Sequence, residues 1–338
     1  MDNHKNYFEH PGKAIRAGAG FEYVMSVALN SYGGYKEGMI RCITSREGDV
    51  QVAGYIDRSE LHKVKEHSPN HFEIGDRLVI KNESEIIDQI CGMDREFIGL
   101  EDPDIWIDEK TGMMHVYFTI PLRSRNHQAD LIHLGHAVGK DMNSLEMTMP
   151  VLMSGTEGIS GKEVSIAPIN KNKFRYNLVE SASEGKEFWY STIRVAIAED
   201  MGMPWKFGDT LFNPEEHSIP WIAGHASPGP LLPDTFMDVG EGRRLGILNG
   251  REANHKEGDK IKYGMFSVGL FIYDFENGKI DWVSSEPFIQ DSQAKTITFA
   301  SQFVEKGRGS GVLYAHVDDS FVRAYTINAD LIKSLLPD

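Results

Sequence analysis

The feature that most constrains this chain is a recurring unit: a short apolar strand, a second strand, then an acidic turn leading to another apolar or aromatic residue. It is read in QVAGYIDRSELHKV, IHLGHAVGKDMNSLE, TIRVAIAEDMGMPWKF, VGLFIYDFENGKIDWV and YAHVDDSFVRAYTINADLIKSL. Long helical periodicity is almost absent. Runs rich in β-branched and aromatic residues recur instead at 39–44, 114–119, 174–180, 263–275 and 312–316. Gly, Asn, Asp and Lys separate them, as in KTG at 110–112, ENGK at 276–279 and GRGSG at 307–311. Units spaced by roughly 50–75 residues predict an all-β fold, a five-bladed β-propeller with four-stranded antiparallel blades, forming a single domain over residues 1–338. A two-sheet sandwich is the main rival, and the recurrence favours the propeller. The stretch up to about Gly20 and the Pro/Gly-rich segment 213–238 are expected to lie outside the blades and to shape the cavity rim.

Charge narrows the class of ligand. A formal net charge of −15 with scattered Lys and Arg argues against nucleic acid and against anionic membranes. Cys42 and Cys91 are the only cysteines, so neither a disulfide scaffold nor a multi-cysteine zinc site is expected. With no signal-like N-terminal stretch and no apolar run of membrane-spanning length, the expected location is cytoplasmic. No cofactor and no metal is expected. His133 and His136 have an odd spacing that points them to opposite faces of a strand.

The sharpest local feature is GLEDPDIWID, residues 99–108, where Glu101 and Asp102 precede a proline and an apolar strand. Proline restricts the residue before it, so Asp102 is expected to be extended, with its carboxylate aimed. Neighbouring acids and partial burial can raise a carboxyl pKa towards neutrality, as a general acid requires. An acidic turn capping a hairpin is the alternative.

GLEDPDIWID resembles the GxEDPR signature of glycoside hydrolase family 130, the mannoside phosphorylases and mannosidases, and further motifs follow in order. SGKEVSIAPINKNKFRYNLVES (160–181) looks like that family's KDVVLFPEKINGKYYALHR stretch, and WIAGHASPGPLLPD (221–234) like its GxGxPPI region. RLGILNGRE (244–252) is similar to WLxxYHG, YGMFSVGLFIYD (263–274) to YxxGxxLLD, VSSEPFI (283–289) to RSxEPIL, and LYAHVDDSFVRAYT (313–326) to YYGAADTxIxxA. The resemblance implies a five-bladed propeller in which Asp102 is the general acid on the glycosidic oxygen. It also implies that Asp318 holds sugar hydroxyls and that Arg41, in GMIRCI, faces the sugar.

The departures from the pattern bear on the reaction. Asp104 stands where the signature has arginine, and Asn249 where it has histidine. Where the phosphorylases place basic side chains on phosphate, this chain offers Lys162 and Glu180, and a carboxylate repels a phosphate dianion. Hydrolysis by inversion is therefore favoured, with a second carboxylate, Glu180 or Glu163, activating water at about 6.5–9.5 Å from the acid. Phosphorolysis, which would rebuild an anion site from Lys162 with Arg175, Arg194 or Arg251, and sugar binding without catalysis remain the alternatives. His225 is a candidate donor to a sugar or water, and Trp221 is the tryptophan expected to stack on a sugar face. An oligosaccharide or small glycoside is the expected partner.

Overall fold

The computed structural model describes residues 6–18, 20–126, 129–155, 159–184 and 189–337. The β-branched and aromatic runs all form strands. In chain order these are Tyr7–Glu9 (β1), Tyr23–Leu29 (β2), Glu37–Glu47 (β3), Ile56–Ser68 (β4), His71–Arg77 (β5), Arg95–Phe97 (β6), Glu101–Ile107 (β7), Met114–Ser124 (β8), Leu131–Gly139 (β9) and Glu146–Leu152 (β10). There follow Lys162–Ser165 (β11), Arg175–Glu184 (β12), Trp189–Ala198 (β13), Lys206–Phe212 (β14), His225–Leu231 (β15), Arg243–Arg251 (β16), His255–Glu257 (β17), Lys260–Lys262 (β18), Phe266–Asp274 (β19), Lys279–Val283 (β20), Thr298–Gly307 (β21), Ser310–Val317 (β22) and Phe321–Asn328 (β23). Among the described residues there are also two short α-helices, Glu83–Cys91 (α1) and Ala329–Lys333 (α2), and two single 3-10 turns, Pro214–Glu216 and Pro220–Ile222. Among the described residues, no helix is long and apolar enough to cross a membrane.

The strands pair antiparallel in four-strand runs, β2-β3-β4-β5, β7-β8-β9-β10, β11-β12-β13-β14, β15-β16-β19-β20 and β21-β22-β23-β1, with β6 extending the edge occupied by β7. The third and fourth runs are joined by a single parallel bridge, Ser191 to His225. No sheet closes on itself. Instead the first strand of each run packs on the first strand of the next, β2 on β7, β7 on β11, β11 on β15, β15 on β21, and β21 on β2.

The hydrophobic core is divided in the same way, because each sheet has two faces to bury. Met39, Leu61, Val116 and Ala137 fill the space between the first and second runs, and Tyr117, Val179 and Trp205 that between the second and third. Leu178, Trp221 and Phe271 lie between the third and fourth, and Ile247, Leu270 and Leu313 between the fourth and fifth. Val24, Ile40, Val312 and Val322 join the fifth back to the first.

Two segments expected outside the sheets lie within them. Residues Tyr7–Glu9 pair with Tyr325–Ile327, and Ile15 bridges Val322, so the chain start completes the last sheet. The Pro/Gly-rich segment contains β15, an innermost strand. Pro228 and Pro230 are tolerated there because the strand is irregular between Pro228 and Leu231 and faces a cavity.

Trp221 is likewise core, not rim. Its ring covers Gly250 and Gly269, where a Cβ would come within 2.4 Å of ring carbons, and its Nε1 donates to the Ser284 carbonyl at 3.1 Å. Trp221→Ala is expected to cost about 3–5 kcal/mol in urea unfolding, the range for a buried large aromatic. A loss below about 1 kcal/mol would return the ring to the surface.

Candidate active site

Each innermost strand is irregular near its middle: β2 between Met25 and Val27, β7 between Glu101 and Asp104, β11 between Lys162 and Ser165, β15 between Pro228 and Leu231, and β21 between Ala300 and Gln302. A bulge turns one side chain out of the alternating pattern. Ser26, Asp102 and Glu163 occupy three of these positions with φ of +49°, +46° and +51°, left-handed backbone that costs a non-glycine residue about 1–3 kcal/mol. Asp102 is therefore not extended, as the proline after it predicted. The bulge overrides that preference, and side-chain bonds hold the result: Ser26 Oγ donates to Asp102 Oδ1 at 2.8 Å, and Glu163 is hydrogen-bonded to the same carboxylate.

Arg41, from β3, fixes the other side. Its Nη1 donates to Asp102 Oδ1 and Oδ2 at 3.0 and 3.2 Å, and its Nη2 to Glu101 Oε1 at 2.5 Å. Burial would raise the Asp102 carboxyl, but Arg41 and Lys162 more than offset it and hold it at about 2. Burial, reinforced by the Asp102 charge, pushes Glu163 well above the usual range. The pair thus holds one proton, on Glu163, which donates to ionised Asp102. Burial also raises Glu101 to about 7, with Arg41 opposing.

A second group adjoins the first through Lys162. Glu180, on β12 and 1% exposed, has its Oε1 3.2 Å from Lys162 Nζ and accepts from Ser191 Oγ at 2.7 Å. Its Oε2 lies 3.1 Å from His225 Nε2. Burial would raise Glu180, yet His225 and Lys162 hold it well below the carboxylate range. Burial lowers His225, so the imidazole is neutral near pH 7. Lys162 is held well above its ordinary value, the surrounding carboxylates outweighing its burial.

Two hollows flank these groups. Lys162, Glu180 and His225 line one of about 530 Å³, together with Tyr55, Arg251 and Tyr263. Asp102 and Glu163 line another of about 470 Å³, with Asp104 and Trp106. The first is partly roofed by backbone pairing between the connectors of two different sheets: Ala53 N–H donates to Ile261 O at 3.0 Å, and Tyr263 N–H to Gln51 O at 3.1 Å.

Seven of the sequence-predicted residues therefore join one cluster of hydrogen bonds and charge contacts: Arg41, Glu101, Asp102, Lys162, Glu163, Glu180 and His225. Three do not. Asn249, fully buried, accepts the Ala300 N–H at 2.8 Å and donates to the Ala300 carbonyl at 2.9 Å, so it staples two strands. Asp318 caps the backbone N–H groups of Lys295, Thr296 and Ile297. Its neighbour Asp319 faces inward, accepting from Tyr55 Oη at 3.1 Å and lying 3.2 Å from His316 Nε2. Asp104 faces the second hollow. Ser26, Tyr55 and Asp319 were not singled out for the site from the sequence. The doubled aspartate in VDDS was the one visible signal, and the register of the turn decides which of the two points in.

Glu101 and Glu163 keep protons in the folded chain that the unfolded chain releases above about pH 4.5, so they make stability fall as pH rises from there towards 7. Asp102 acts in the opposite sense and at lower pH, its contribution fading between about pH 4 and 2. In Glu101→Gln, the loss of stability between pH 5 and 7 should shrink by roughly 2–3 kcal/mol, read from urea midpoints at a series of pH values. Parallel pH curves for the two proteins would contradict a protonated Glu101.

No family model and no curated protein matches the sequence. Solved structures match its fold. A β-1,2-mannobiose phosphorylase from Listeria innocua, in complex with β-1,2-mannobiose, superposes with a TM-score of 0.66 at 14% identity, over 98% of this chain and 99% of the other. A mannose phosphorylase from Leishmania mexicana in complex with phosphate gives 0.54 at 15% identity, over 96% and 89%. A GDP-Man-dependent mannosyltransferase from the same organism gives 0.52 at 13%, over 92% and 86%. The fold is shared with these structures over nearly the whole chain, and a distant relationship to glycoside hydrolase family 130, read from the order of the motifs, fits it.

Proposed function

We propose that the chain is a carbohydrate-active enzyme, a single five-bladed propeller over residues 1–338, that hydrolyses a mannoside-like linkage by inversion. The closed succession of inner strands and the core that returns from the last sheet to the first support the blade count. The observation that carries the chemistry is the Asp102–Glu163 pair. A leaving glycosidic oxygen needs a proton, and this buried pair holds one on the wall of a sugar-sized hollow. Asp102 positions and receives; Glu163 is the member that carries the proton to be given. Their direct hydrogen bond leaves no room for water between them, so Glu163 does not serve as the base. Glu180 takes that part through His225: with Nε2–H donated to Glu180, the neutral imidazole has Nδ1 available to accept a proton from water.

Charge balance supports water over phosphate as the nucleophile. Arg41 is committed to Glu101 and Asp102, and Lys162 to Glu180. Of the arginines that could rebuild an anion site, Arg175 lies on Trp106 beside the second hollow and Arg194 bonds Gly208 and Thr210. Arg251 alone shares the first hollow with Lys162.

The test is release of free mannose from manno-oligosaccharides in phosphate-free buffer. Glu163→Gln and Asp102→Asn are each expected to lower kcat by about 10²–10⁴-fold, with folding confirmed by circular dichroism. Turnover that appears only when phosphate is added would overturn hydrolysis and assign Arg251 and Lys162 to the anion.

A further inference from the structure

Ser26 is the bulged residue of β2, and its hydroxyl is one of the donors that hold the Asp102 carboxylate. The break in register between Met25 and Val27 takes its backbone out of the ladder with β3, yet the residue is only 1% exposed. A buried N–H so placed needs an acceptor from elsewhere. His316, on β22 in the last run, supplies it: Nδ1 accepts the Ser26 N–H at 3.3 Å. A backbone N–H can only donate, so Nδ1 offers a lone pair and the imidazole proton sits on Nε2. That Nε2 lies 3.2 Å from Asp319 Oδ1, while Tyr55 Oη donates to Asp319 Oδ2. Burial would raise the Asp319 carboxyl, but the His316 bond and the charges of Arg41 and Arg46 hold it below its ordinary value. An ionised carboxylate accepts and cannot donate, which fixes the tautomer from the far side. The Phe299 ring stacks on the imidazole, centroids 5.1 Å apart and planes 12° from parallel, and sets its plane. Asp319, His316, Ser26 and Asp102 thus form one file of hydrogen bonds, running from the last sheet through the first to the proton-holding pair.

We propose that His316 is a positioning residue for the Asp102–Glu163 pair and acts through Ser26: its Nδ1 holds the left-handed Ser26 backbone that aims the hydroxyl at Asp102. The inference rests on the proton-holding role assigned to that pair. Packing between the two sheets would need only the bulk of the ring, whereas positioning needs an acceptor where Nδ1 stands.

Two substitutions separate these roles, because asparagine keeps an acceptor at the Nδ1 position and glutamine carries its polar end out to the Nε2 position. His316→Gln is expected to lower kcat for mannose release by about 10–10²-fold with KM held within about twofold, as for a carboxyl moved by about 1 Å. His316→Asn should stay within about threefold of the unsubstituted chain in both constants. Hydrogen exchange at the Ser26 amide, followed by NMR, should be slow in the unsubstituted chain and in His316→Asn and fast in His316→Gln, whether or not the chain turns over a sugar. An unsubstituted chain inactive with and without phosphate would sink the proposed reaction, and the exchange pattern would then decide the role of His316 by itself. Unchanged kcat in His316→Gln, equal losses of kcat in the two variants, or equal Ser26 exchange in both would overturn the proposal. If melting temperatures show that neither variant folds, the long-range proton–nitrogen spectrum of the unsubstituted imidazole decides: a proton on Nε2 supports the bond to Ser26, and one on Nδ1 overturns it.

Discussion

Everything at the centre of this molecule depends on holding four carboxyl groups close together with two permanent cations. Glu101, Asp102, Glu163 and Glu180 are all buried or nearly so, and like charges at such separations cannot all persist in a poorly hydrated interior. The chain resolves this in two ways. Arg41 bridges Glu101 and Asp102, Lys162 pairs with Glu180, and the residual repulsion is relieved by leaving Glu163 protonated and Glu101 readily protonated. A shared proton is thus a consequence of crowding acids, and it is also the reagent a glycosidic oxygen requires.

The crowding is made by the backbone. Five innermost strands each break register near their middles, and in the first three the bulged residue carries a polar side chain into the shared space. Left-handed φ at Ser26, Asp102 and Glu163 is unfavourable for each residue alone. The three are linked by hydrogen bonds to one another, so relaxing one would strip partners from the rest. The surrounding sheets, packed face against face all the way round, supply the rigidity that keeps the three in place.

Strand content and its recurrence were legible because alternation and turn residues are local signals, and Met39, Tyr117 and Leu313 are buried as their runs imply. The motif order located seven of the ten candidate residues. What was not legible depends on register. Pro228-Gly229-Pro230 reads as loop, yet forms an innermost strand because the cavity side of that strand has no ladder to satisfy. Asp102 reads as extended because it precedes proline, yet a bulge reverses its φ. Asp318 and Asp319 are indistinguishable as sequence, and a one-residue step sends their side chains in different directions. The nine-residue helix α1 escaped notice because a single buried face, centred on Ile87, is short against the strands around it.

Register also settles which charge changes matter. Asp104, in place of a signature arginine, looked like a reversal of charge within the reaction site. The bulge at Asp102-Pro103 turns Asp104 into the hollow that Asp102 and Glu163 also line, away from Lys162 and Glu180. Glu180 holds Lys162 in an internal ion pair and brings His225 into contact with a carboxylate. An anion that takes Lys162 must displace a buried carboxylate from it, leaving an uncompensated charge at a cost of several kcal/mol. Water faces no such barrier, since it carries no charge and finds the imidazole of His225 neutral and oriented on the wall it approaches.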